Sequence, residues 1–305
     1  MSELRTLKQR YITYLKTQWG GSPKMIENYD RYLERFLRFA KVKKPSEITA
    51  ERVASFRLHL SKQPGANVGG KVTPMKQLTQ NYYLIALRMF LKYLIDQGYE
   101  TMLPIQIKLA KSPKRSIKII STNELDRLRT APDVQHPVGR RDHAIIELLC
   151  STGLRISELC ALSINDISLT SSELSIECSR GNQRMLFLNE SVHTAIAGYM
   201  KDRQDASSAL FIRYGRKAND GGDLRIHPRA VQRMLKAYAT KVGIVSRVTP
   251  HALRHTFADQ LVQSGADRRS VQVLLGHTTN AATYVYQPVA NPRLPQLRKK
   301  DQGCK

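Results

Sequence analysis

Apolar residues recur at helical spacing along most of this 305-residue chain, and they alternate as in strands over one clear stretch only, between Glu173 and Asn189. That pattern predicts a mainly α fold carrying a small antiparallel β-sheet. The length suffices for two domains, each burying its own core. We divide the chain into a helical N-terminal domain at 1–103, a basic linker at 104–120 and an α+β domain at 121–305 with a tail from about 287.

The N-terminal part reads as a four-helix unit. A first segment spans Leu4 to Lys16; Ser22 and Pro23 then supply a cap and first-turn residue for a helix whose inward face is Ile26, Tyr29, Leu33, Phe36, Leu37 and Ala40. A third helix starts at the Thr49 cap with Val53, Phe56 and Leu60 inward. Residues 65–74 (GANVGGKVTP) read as a loop, and a long fourth helix through Tyr83, Leu87, Phe90, Leu91 and Leu94 stops at Gly98. The aromatic content of this unit is read as packing.

Residues 104–120 (PIQIKLAKSPKRSIKII) lack a sustained apolar period and carry five cations. Beyond them, Ser121 and Glu124 form a capping box. A helix from Asp142 to Thr152 stops at Gly153, and Arg155 sits at the junction with the next helix, ISELCAL, where two packed elements would hold it rigidly. ELSIECS (173–179) and RMLFLN (184–189) predict a hairpin turning at 180–183. A helix to Met200, a short strand at 210–212, a polar loop at 214–223 and a helix ending at Gly243 follow. Thr249 and Pro250 then cap a helix bearing His251 and Arg254.

Charge restricts the partners. The chain has 49 Lys+Arg against 25 Asp+Glu, a formal +24. Residues 1–115 carry 22 basic and 8 acidic side chains (net +14) and residues 116–305 carry 27 and 17 (net +10), so both halves can face a polyanion, as a clamp would. The four cysteines show no CxxC pair and no metal-ligand spacing with histidine, so neither disulfides nor zinc are expected. No apolar run reaches the roughly 18 residues of a membrane span, and no secretory leader is recognised, which points to a cytoplasmic, nucleoid-associated protein.

One stretch, His251 to Tyr286, gathers groups that phosphate chemistry uses. His251 and Arg254 are three apart and share a helix face. His277 follows an apolar VLLG, and Tyr286 lies nine residues further on.

The boxes TGLRISEL (152–159), HALRH (251–255), LLGH (274–277) and Tyr286, in this order and spacing, resemble the tyrosine recombinases, the integrase family that includes the bacterial Xer proteins. The resemblance covers nearly the whole chain. It implies an N-terminal SAM-like DNA-binding domain, a C-terminal catalytic domain, and site-specific DNA cleavage and rejoining through a 3′-phosphotyrosyl link, with no metal, cofactor or ATP. The implied partners are a double-stranded DNA recombination site and other subunits in a tetramer on that DNA, either identical copies or a related recombinase. Arg155 and Arg254 match the family's arginines, whose forked donors suit charge developing on the non-bridging phosphate oxygens. His251 would be the acid–base partner of the nucleophile, His277 a phosphate donor and Tyr286 the nucleophile; Tyr284 is the competing tyrosine, and His255 is read as structural.

The sequence departs from the family pattern in two places. The turn of the hairpin usually carries a lysine that protonates the leaving 5′-oxygen; here the turn reads SRGNQ, and Arg180 stands nearest to that position. A guanidinium with a pKa above about 12 is a poor proton donor, although it stabilises charge. The tail contains Pro288, Pro292 and Pro295, which oppose a long regular helix of the kind that docks on a neighbouring subunit. Two functional classes therefore stand side by side: a strand-transferring enzyme, and a catalytically weakened DNA-binding accessory protein on the same scaffold.

Overall fold

The computed structural model describes residues 2–68, 71–111, 119–167, 173–177, 183–215 and 223–276. The chain divides into two compact units, Met1–Arg115 and Ser116–Lys305.

The first unit is built from α1 (Glu3–Thr17), α2 (Pro23–Ala40), α3 (Ala50–Lys62) and α4 (Gln77–Asp96). Ser22 accepts from the Met25 amide and Thr49 from the Arg52 amide, so two helix starts are fixed by the caps expected there. Leu33, Phe36, Phe56, Leu87 and Phe90 form part of a single core, and the buried Tyr11 packs ring against ring with Tyr14 and Tyr93 at its margin. Lys8 is buried against Asp30 and Glu34 at 2.9 and 3.0 Å, an ion cluster linking α1 to α2.

Residues 65–74 are not an irregular loop: β1 (Pro64–Val68) and β2 (Lys71–Pro74) pair antiparallel, with Val68 opposite Lys71 and Asn67 opposite Val72. The glycines at 69 and 70 between two valine-bearing runs are a hairpin signal that composition alone hides. The start of the basic segment at 104–120 lies against this unit: Ile107 is buried in its core, and Asn81 both donates to and accepts from the Ala110 backbone.

The second unit opens with α5 (Thr122–Arg129), whose Ser121–Glu124 capping box forms as read. Next come α6 (Pro137–Thr152), α7 (Ile156–Ala161), strands β3 (Glu173–Glu177) and β4 (Gln183–Phe187), α8 (Glu190–Met200), α9 (Pro228–Lys241), α10 (Pro250–Gln263) and α11 (Arg268–Leu275). The hairpin pairs in register from Glu173 opposite Phe187 to Glu177 opposite Gln183, and Leu174, Ile176, Arg184 and Leu186 face inward. The stretch 210–212 forms no strand; Ile212 makes one isolated bridge to Arg225 and Ala209 another to Ser163.

The apolar helix α6 is central to this unit. Ile145, Ile146, Leu148 and Leu149 are fully buried between α5, α8 and α10. Among the described residues no helix is long and apolar enough to cross a membrane.

Candidate active site

Helices α6 and α11 both end at a glycine in the left-handed region, Gly153 (φ 59) and Gly276 (φ 61). A helix end leaves its last carbonyls without intrahelical partners, and these carry the partial negative charge of the helix dipole. Here arginines satisfy them. Arg254 is buried on α10; its Nη1 donates to the Gly153 carbonyl at 2.7 Å and its Nη2 to the Leu275 carbonyl. Arg155 donates through Nη2 to the Gly276 carbonyl at 2.7 Å. The two guanidinium groups are thus held on consecutive carbonyls at the end of α11, so two like charges stay together before any anion arrives.

Arg155 is fixed from its other side by Glu158, at the third position of α7. Glu158 Oε2 accepts from the Arg155 amide at 2.8 Å and Oε1 accepts from Arg155 Nη1 at 2.7 Å. Glu158 Oε2 also accepts from Arg184 Nη2 at 2.7 Å, from the inward face of β4. Sequence reasoning singled out neither Glu158 nor Arg184 as a site residue. The signal for Arg184 lay in strand parity, since it shares an inward register with Leu186 and Leu188.

His251 lies one turn before His255 on α10 and is exposed, with the two Nε2 atoms 2.9 Å apart and the rings edge to face. Such a contact requires one ring to donate and the other to accept. Burial, with His251 and Arg254 as neighbouring charges, pushes His255 down to about 4, so it remains neutral at physiological pH. His255 therefore touches a predicted site residue directly, which its reading as merely structural did not foresee.

Of the six residues singled out from the sequence, Arg155, His251 and Arg254 lie among the described residues, and the two arginines are brought together on the adjacent carbonyls of Leu275 and Gly276. Arg180, His277 and Tyr286 lie outside the described residues.

A model of the phage integrase family matches residues 118–292, and one of the phage integrase N-terminal SAM-like domain matches residues 9–98. The chain is 32% identical to the tyrosine recombinase XerC of Pelobacter propionicus, over 98% of this chain and 96% of that protein. It is 28% identical to the tyrosine recombinase XerD of Listeria monocytogenes, covering 97% and 98%. A crystal structure of XerA recombinase matches 99% of this chain and 100% of that one at 26% identity, with a TM-score of 0.51. The fold is shared with a lambda integrase dimer bound to a COC' core site, at a TM-score of 0.69 and 18% identity over 96% and 98% of the two chains.

Proposed function

The chain belongs to the phage integrase family, and from that premise we propose that it is a site-specific tyrosine recombinase that cleaves and rejoins DNA through a 3′-phosphotyrosyl intermediate. The observation that carries this reading is the pair Arg155 and Arg254 anchored on the consecutive carbonyls of Leu275 and Gly276.

In this reading Tyr286 Oη attacks the scissile phosphorus, the P–O5′ bond breaks, and the 5′-oxygen takes a proton from water as it leaves. Negative charge grows on the non-bridging oxygens as the transition state forms. Two guanidinium groups already fixed in place stabilise it without the cost of gathering them at the moment of reaction. His251 takes the tyrosine proton, and His277 donates to the phosphate. The phosphodiester energy is retained in the covalent link, so a different 5′-hydroxyl can attack it and restore a continuous strand. Acting on a duplex at both partner sites requires a tetramer on DNA, formed with identical subunits or a related recombinase. The chain's place of work is the cytoplasm, on the nucleoid.

The test is a denaturing gel of the protein on nicked suicide substrates built from inverted repeats flanking its gene. A covalent protein–DNA complex is expected, absent from Tyr286→Phe and retained in Tyr284→Phe. Specific DNA binding with no covalent complex from the unaltered protein would overturn the enzyme reading. It would favour the accessory DNA-binding protein that Arg180, in place of a lysine, would suit.

A further inference from the structure

We infer that Arg184 is a positioning residue for cleavage, keeping the charge of Arg155 available to the phosphate by neutralising Glu158. The inference rests on the reading of Arg155 as a phosphate-holding cation. Glu158 is needed to aim Arg155, since it accepts from both its amide and its Nη1. A carboxylate facing Arg155 alone would also cancel the charge that an anionic transition state requires. The second cation resolves that conflict. Two guanidiniums thus meet one carboxylate, and only one of the three ends reaches solvent. The side chains of Arg184 and Glu158 are 4% and 8% exposed, whereas that of Arg155 is 33% exposed. The uncancelled charge is therefore presented at Arg155, where a phosphate can meet it.

Burial makes this arrangement consequential. In a water-poor setting a carboxylate without its second partner acts strongly on whatever cation remains. Arg184 also sits opposite Ile176 in the hairpin, so its pairing with Glu158 ties the register of β3 and β4 to the Arg155 junction. That hairpin is the one whose turn carries Arg180, four residues before Arg184.

The experiment measures single-turnover cleavage of a nicked suicide substrate and of the same DNA with a methylphosphonate at the scissile position. Arg184→Met is expected to slow cleavage roughly a hundredfold while DNA affinity holds. The loss should shrink on the methylphosphonate, where one anionic oxygen is gone and the charge of Arg155 matters less. Arg184→Lys should retain most of the rate. The double variant Glu158→Gln/Arg184→Met should regain at least about tenfold over Arg184→Met, because the competing carboxylate has been removed. Arg184→Met cleaving at the parental rate, an equal loss on both substrates, or a double variant no better than the single one overturns the inference. If Arg184→Met does not fold, the folded double variant carries the test: cleavage within about tenfold of the parent supports the inference, and a slower rate overturns it. Arg155→Ala separates the two readings. If it cleaves at the parental rate, the phosphate-holding role of Arg155 fails and this inference with it; if it is inactive while Arg184→Met is unimpaired, only the role of Arg184 fails.

Discussion

Arg254 Nη1 donates to the carbonyl of Gly153 at 2.7 Å across 101 residues of sequence, joining the end of α6 to α10. Its second Nη reaches the Leu275 carbonyl, so the planar fork spans two helix ends at once. Lysine has one compact ammonium and cannot span both. Arg254→Lys should lower single-turnover cleavage by roughly a hundredfold or more. It should also lower the melting temperature, since a buried carbonyl loses a charged donor at a cost of about 1.5–3 kcal/mol.

Gly153→Ala tests the acceptor side of that relationship. The backbone there has φ 59, and an added Cβ would lie 2.6 Å from Phe257 Cδ1 and 3.2 Å from Leu275 Cδ2. The left-handed conformation and the crowding together should cost about 2–4 kcal/mol. A thermal melt should show the midpoint falling by roughly 5–15 °C.

Acid should destabilise the protein through His255. The folded state holds it neutral down to about pH 4, because burial and the neighbouring His251 and Arg254 oppose its charging, whereas in the unfolded chain it takes up a proton near 6.5. Between those values the unfolded state binds more protons, so this contribution is full above about 6.5 and is lost as the pH falls toward 4. Melting temperatures measured at pH 7 and pH 5 should therefore differ more for the parent than for His255→Gln. An identical difference in the two proteins would remove His255 as the source.

Arg180 can be tested by exchange in both directions. Arg180→Lys should preserve or raise cleavage of a nicked suicide substrate, because an ammonium can give a proton to the leaving oxygen and a guanidinium cannot. Arg180→Ala should lower it, and cleavage at the parental rate would remove Arg180 from the site.

Helix starts were legible because their signals are local: Ser22, Thr49, Ser121 and Thr249 each cap the helix that follows them. The hairpin at 64–74 was missed because its strands are short and polar. The positions of Arg155 and Arg254 in the chain were readable, but their anchors were not, since a main-chain carbonyl leaves no trace in residue identity. Charge counting had a related blind spot. Arg141, Arg203 and Arg225 donate to backbone carbonyls within the second unit, and Arg184 to Glu158, so part of the basic excess credited to a polyanion is spent inside the fold.

The anchoring carbonyls have a consequence for engineering. Because the carbonyls that hold Arg254 and Arg155 belong to the main chain of residues 153, 275 and 276, they survive changes of side chain on α11 that leave the two helix ends intact, while Glu158 on α7 continues to aim Arg155. Exposed positions on α11, such as Val273, can thus be randomised while the arginine pair keeps its alignment. The boundary of such a library is set by the two glycines that end the helices.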